Sequence, residues 1–319
     1  MRTTNAAALR NRVSYMVFVL FLVAPVVFGT GVSEEPVMDD ESSLVVVTDA
    51  RGEEIEVRDA SRVVSLGAAV SETVAALGAA DRLVGVDQSS AYPEEALAGV
   101  PRTGYVREVS AEGILSLSPT LVLASVDTGP PEVIAQIEEA GVPVAIVPED
   151  DSLSGAVGRV EFVATLLGVE EAAESVIAGM QTDESRLVQL ISDTPADERP
   201  SVLFVYARGA GTVLASGDAT SADAMIELSG GRNALASFTG YRPLTPEAAI
   251  AAEPDYLLFT TSGLGSLGGP EGLAEVPGIA QTRALAEGRI IAFDDIYLLS
   301  FGPRTASAAY DLAQALYSE

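Results

Sequence analysis

Two short segments set a phenol close to a guanidinium: Gly104-Tyr105-Val106-Arg107 and Gly240-Tyr241-Arg242. A phenolate is a hard, anionic oxygen donor suited to ferric iron, and a nearby cation favours the ionised form. Arg208, in Tyr206-Ala207-Arg208-Gly209, and Arg304, in Gly302-Pro303-Arg304-Thr305, add groups that hold carboxylates through paired N–H donors. Each residue also has an ordinary structural use. A tyrosine can pack as a loop aromatic, and an arginine can pair with one of the 46 acidic residues.

Other chemistries find little support. The chain has no His and no Cys, so the commonest general base, the commonest metal ligand and the most nucleophilic side chain are all missing. Gly263, Gly265 and Gly268 follow Thr260 to Ser262 and run into Gly269-Pro270, which reads as turn and not as a dinucleotide loop. Asp294 and Asp295 could bind a hard cation, but adjacent acids in so acidic a chain are expected on a solvated surface.

The elements that must position these residues alternate between strand and helix. Leu44 to Thr48 and Glu54 to Val57 read as a hairpin. Apolar runs at Val63 to Leu66, Leu83 to Val86, Leu121 to Ala124 and Val144 to Val147 then read as buried strands joined by helical crossovers, the pattern of a parallel sheet. From Ser152 to Ser192 the periodicity is helical, with Gly168 as a break. Strands resume at Val202 to Val205, Tyr256 to Phe259 and Ile290 to Phe293. The expectation is an α/β protein of two lobes, each with a central, mainly parallel sheet flanked by helices, joined by a helical segment and enclosing a ligand cleft. The boundaries are 44–150 for the N-terminal lobe, 151–192 for the connecting segment and 193–319 for the C-terminal lobe.

An internal repeat supports two related lobes. Ser110-Ala-Glu-Gly-Ile-Leu-Ser-Leu-Ser-Pro-Thr-Leu-Val-Leu aligns without a gap to Thr245-Pro-Glu-Ala-Ala-Ile-Ala-Ala-Glu-Pro-Asp-Tyr-Leu-Leu. Each copy offers a hydroxyl N-cap, a helix, a proline stop and a strand. A Tyr and Arg loop precedes each.

The ends and the charge bound the setting. Arg2, Arg10 and Arg12 precede the 16-residue apolar run Val13 to Phe28, short of the roughly 20 residues of a membrane span, so residues 1–29 read as a signal peptide. An uncleaved anchor is the other reading, and both put the body of the protein outside the cytoplasm. Residues 30–43 read as a flexible acidic leader. Without cysteine there is neither a disulfide framework nor a lipid attachment point, so no lipoprotein is expected. The formal charge of −28, with all 18 basic residues being Arg, repels nucleic acid and anionic lipid and fits adaptation to high salt.

The segments Gly104-Tyr-Val-Arg-Glu-Val-Ser-Ala-Glu-Gly-Ile-Leu, Val202-Leu-Phe-Val-Tyr-Ala-Arg-Gly-Ala-Gly, Gly230-Gly-Arg-Asn-Ala, Pro243-Leu-Thr-Pro-Glu and Asp294-Asp-Ile-Tyr-Leu-Leu-Ser-Phe-Gly-Pro-Arg-Thr carry a wider likeness. In them the chain resembles the periplasmic haem-binding proteins of bacterial haem ABC importers, within the helical-backbone class that also takes up cobalamin and ferric siderophores. The resemblance implies a solute-binding protein and not an enzyme. It would capture haem b as its transported ligand and deliver it to an inner-membrane ABC permease with its ATPase, as a periplasmic monomer. It implies Tyr105 as ligand to the haem iron, Arg107 as its neighbouring cation, and Arg208, Arg242 and Arg304 as partners of the propionates. Tyr241 would contact the porphyrin, and Glu112 and Glu247 would dock on the permease. Some relatives hold a second haem through a histidine, which this chain lacks. The rival readings are a corrinoid or ferric siderophore as ligand, a haem scavenger or sensor without a permease, and a secreted metal-dependent enzyme.

Overall fold

The computed structural model describes residues 44–318. The expected signal peptide (1–29) and acidic leader (30–43) lie outside the described residues. The hairpin forms from β1 (Val45–Thr48) and β2 (Glu54–Val57), paired antiparallel. The N-terminal sheet contains β3 (Val63–Leu66), β4 (Leu83–Val86), β5 (Leu121–Ala124) and β6 (Val144–Ile146), all parallel in the order β4-β3-β5-β6. Every residue of β3 and β5 is buried, because helices cover both faces. Alternation divides the apolar side chains between two cores. Val63, Leu121 and Leu123 join one, and Val64, Val122 and Ala124 join the other.

The C-terminal sheet contains β7 (Ser201–Ala207), β8 (Val213–Ser216), β9 (Arg232–Asn233), β10 (Tyr241–Pro243), β11 (Tyr256–Thr260) and β12 (Ile290–Phe293). Its main path runs β10-β8-β7-β11-β12, with β9 beside β7. β7, β11 and β12 are parallel as the apolar runs suggest, whereas β8 and β10 add an antiparallel edge. The edge strand β10 is too short and polar to show periodicity, and its Pro243 suits an edge, where a missing N–H breaks no central ladder.

The helices used below are α1 (Ala68–Ala76), α2 (Ala111–Leu115), α3 (Pro131–Glu139), α4 (Leu153–Leu167), α5 (Glu170–Ile191), α6 (Ser221–Leu228), α7 (Pro246–Ala251), α8 (Asp295–Leu299) and α9 (Thr305–Tyr317). Gly168 ends α4 in the left-handed region at φ 64°, which glycine adopts without a Cβ penalty. α5 then passes from one half of the molecule to the other: Ala173 and Met180 pack with the N-terminal core, and Leu187 packs with β7, α6 and α9. The repeat is visible in three dimensions. Ser110 caps α2 by accepting from the Gly113 amide at 3.3 Å, and Thr245 caps α7 by accepting from the Ala248 amide at 3.2 Å. The glycine-rich stretch expected as turn instead begins with a short helix, Thr261–Ser266, because the Thr260 hydroxyl accepts from the Gly263 amide at 3.2 Å.

Candidate functional site

Tyr105 stands on a braced loop. Gly104 has φ 105°, a conformation that favours glycine, and its carbonyl accepts from the Gln88 amide at 2.9 Å. The Tyr105 carbonyl accepts from the Glu108 amide at 2.8 Å, and the Val106 carbonyl accepts from the Gly129 amide at 3.0 Å. The backbone is therefore held at both ends while the Tyr105 side chain projects outward, 70% exposed. Arg107 reaches Asp127, Nη2 to Oδ2 2.6 Å, in a largely exposed ion pair.

The second Tyr and Arg pair lies on a strand and not in a loop, which separates its members. Tyr241 opposes Ser216 and Arg242 opposes Ala215, so the pleat sends the two side chains to opposite faces. Tyr241 packs edge-on against Phe204 at 6.4 Å and against Tyr206 at 5.9 Å between ring centres. Partial desolvation pushes its phenol up, although 41% of the residue is exposed, with hydrogen bonding from Thr220 opposing, so the neutral form is favoured there. Arg242 instead lies over Phe238, 4.8 Å from the ring centre. Arg208 lies 5.6 Å from the Tyr206 ring centre and so shares an aromatic cluster with Tyr241.

Arg304 is engaged between the halves. Its Nε and Nη2 donate to the two carboxylate oxygens of Glu72 at 2.8 and 2.9 Å. Glu72 belongs to α1 and is almost wholly buried. The Arg304 guanidinium also lies 3.4 Å from the Tyr92 ring centre and 4.9 Å from that of Tyr297. This planar, bidentate and stacked geometry is one that arginine satisfies and lysine does not.

Two cavities open between the halves. The inner one, about 150 Å³, is lined by residues 67–70 at the start of α1, by Val106, Ser125 and Asp127, by Glu149 and Arg159, and by Ser300 from the other half. The outer one, about 490 Å³, is lined by Val126, Glu149, Asp150 and Asp151 from one half and by Asp218, Thr220, Asp223 and Glu227 from the other. Glu149 lines both. Val106, the residue after Tyr105, lines the inner cavity, and Thr220 and Asp151, both of which act on the Tyr241 phenol, line the outer one.

Glu112 and Glu247 occupy equivalent positions in the first turns of α2 and α7, both exposed. Negative charge there complements the helix dipole. Asp294 is occupied as the cap of α8, accepting from the Ile296 and Tyr297 amides, and Asp295 accepts from the Ser262 hydroxyl at 2.6 Å. Among the described residues no cluster of acids has the geometry of a metal site.

Sequence reasoning missed Glu72 and Arg159. The signal was present in both cases: a lone acid in Ala68-Ala-Val-Ser-Glu-Thr-Val-Ala-Ala, and an arginine between Gly158 and Val160 on a mainly apolar helix whose one other charge is Glu161. Charges placed on buried faces demand partners.

Residues 63–297 match the profile of the family described as periplasmic binding protein. The chain belongs to that family. Among solved structures, this periplasmic binding protein is similar to the periplasmic heme-binding protein RhuT from Roseiflexus sp. RS-1 in apo form. The two are 43% identical, with a TM-score of 0.77 over 81% of this chain and 98% of the other. It is also similar to the periplasmic heme-binding protein BhuT in complex with two hemes, at 38% identity and a TM-score of 0.75 over 80% and 97% of the two chains. Curated relatives include the uncharacterized ABC transporter substrate-binding lipoprotein YvrC of Bacillus subtilis, 27% identical over 86% of each chain. Another is the cobalamin-binding protein of Halobacterium salinarum, 26% identical over 81% of this chain and 69% of the relative. The two-lobed α/β architecture is shared with the solved heme-binding proteins.

Proposed function

We propose that this periplasmic binding protein captures one haem b outside the inner membrane and delivers it to an ABC permease with its ATPase, without catalysing a reaction. Tyr105 is the ligand to the ferric iron. The observation that carries this reading is the exposed phenol of Tyr105 on a doubly braced loop whose next residue, Val106, lines the inner cavity. An exposed tyrosine on rigid backbone is pre-organised to meet a ligand, which reduces the ordering cost of binding. Support comes from the 43% identity to a heme-binding protein across nearly all of that protein.

Tyr241, whose surroundings favour the neutral phenol, contacts the porphyrin without ligating it, and Arg208 beside it is available to a propionate. The protein acts as a monomer in the periplasm, and a chain without cysteine offers no thiol for a lipid. Glu112 and Glu247 are the permease contacts. The cobalamin-binding relative makes a corrinoid the second reading.

Titration of purified apoprotein with hemin tests the proposal. A Soret shift with a phenolate-to-iron charge-transfer band is expected, saturating at one haem per chain by native mass spectrometry, while cyanocobalamin does not compete. Binding of cyanocobalamin with no response to hemin would establish the second reading instead.

A further inference from the structure

The larger cavity is a poor place for an anion. Asp150, Asp151, Asp218, Asp223 and Glu227 line it, and Glu149 sits between it and the smaller one. Arg159 is the one basic residue on either wall, and it lines the inner cavity with only 2% of its surface exposed. Its Nη1 donates to the main-chain carbonyls of Ser300 and Phe301, and among the described residues it forms no ion pair. A buried guanidinium without a carboxylate partner is costly, and burial lowers its pKa against the opposing field of Glu149, Asp151, Asp150 and Glu72.

The same cavity receives the start of α1. Gly67 is its N-cap, residues 67–70 line the wall, and no acidic residue lies in the first turn, although the buried Asp87 accepts from the Gly67 amide at 2.9 Å. Glycine is required at position 67, since φ is 120° and a Cβ would meet the Ser125 Cβ at 2.8 Å. The first-turn amides of α1 beyond Gly67, a buried guanidinium and the Ser125 hydroxyl therefore face about 150 Å³, while Ser89 on the same wall donates to Asp87. That volume is below the roughly 300 Å³ at which sites for whole drug-sized ligands begin, but it admits a carboxylate on a short stem. Two acids face the space. Asp127 is paired with Arg107, and Glu149 has its carboxyl pushed up by desolvation, with Arg159 opposing.

We infer that the inner cavity takes one carboxylate of the ligand, with Arg159 as its anchor, while the macrocycle occupies the outer cleft. The inference rests on the haem reading and assigns one propionate to Arg159, a role for which the ion-paired Arg304 is not free. It makes the protein selective for carboxylated tetrapyrroles, with Glu149 as a competing negative charge.

The test compares hemin with its dimethyl ester, which keeps the iron and ring but removes both charges. Wild type is expected to bind the ester at least about tenfold more weakly. Arg159→Met should weaken hemin by a similar factor and the ester little, so that discrimination collapses. Arg159→Lys should retain part of it. Glu149→Gln should tighten hemin more than the ester. The inference is overturned if wild type binds hemin and ester equally, or if Arg159→Met loses both ligands in proportion, which marks a purely structural role. The wild-type comparison needs no variant to fold. If neither compound binds, the haem reading itself falls, and this assignment with it.

Discussion

Arg304 grips Glu72 through two parallel hydrogen bonds of 2.8 and 2.9 Å, joining the start of α9 to the buried face of α1. Arg159 makes a second link, from α4 to the carbonyls of Ser300 and Phe301. Both ties join the two halves, so they oppose a wide change in the angle between them. Removing one partner of a buried pair leaves an uncompensated charge, a loss of about 3–5 kcal/mol when fully buried. Arg304→Gln leaves the Glu72 carboxylate, 3% exposed in its side chain, without its cation, so the loss is expected at the lower end of that range, about 3 kcal/mol, the amide keeping one hydrogen bond. Urea unfolding reads this directly, and haem affinity of the folded variant should change far less than its stability. A variant of unchanged stability but strongly reduced hemin affinity would return Arg304 to the propionates.

Tyr105→Phe keeps the ring but removes the oxygen that ligates iron. The ferric complex should lose its charge-transfer band and weaken by at least about tenfold. Residual binding should persist through apolar burial of the porphyrin. Tyr241→Phe should keep the band. If Tyr105→Phe retains the wild-type spectrum, the ligand lies elsewhere.

Arg107→Ala should have a smaller effect than Tyr105→Phe, since Arg107 acts on the phenolate only through space and is shared with Asp127. A hemin titration of this variant checks it: a loss as large as that of Tyr105→Phe would mean that Arg107 touches the ligand itself.

The carboxyl of Glu149 is raised above the ordinary glutamate value of 4.5, first by desolvation and further by Asp151 and Asp127. A raised acid binds its proton more tightly in the folded state. Its stabilising contribution is full below about pH 4.5 and is lost as pH rises through the folded-state pKa. Glu149→Gln should therefore be more stable than wild type at neutral pH, with the difference narrowing toward pH 4.5. A constant difference between the two urea midpoints across that range would show that Glu149 does not titrate this way.

Charge reversal of Glu112 and Glu247 to Arg should slow haem delivery to a reconstituted permease while hemin affinity stays near wild type, since exposed charges act on docking. A small loss of helix stability, about 0.3–1 kcal/mol at each site, accompanies the reversal. Unchanged transport would leave these residues as helix-terminal acids alone.

Much of this molecule could be read from local pattern. Strands β3 to β6, β7, β11 and β12 declared themselves as apolar runs because a parallel sheet covered on both faces needs them, and the repeat around Ser110 and Thr245 announced two equivalent capped helices. Gly104, Tyr105 and Arg107 were legible because their spacing is local. The tertiary structure decided which charges meet. Glu72 and Arg304 lie 232 residues apart in the chain, and no local rule pairs them. Tyr241 and Arg242 are neighbours in sequence, yet the pleat of an edge strand sends them to opposite faces. Arg159 was hidden in a helical pattern and reached the cleft only because α4 packs beside the loop at Ser300 and Phe301. Apolar burial is non-directional and leaves its mark on composition and period, whereas hydrogen bonds and ion pairs depend on angles and distances that exist only once the chain has folded.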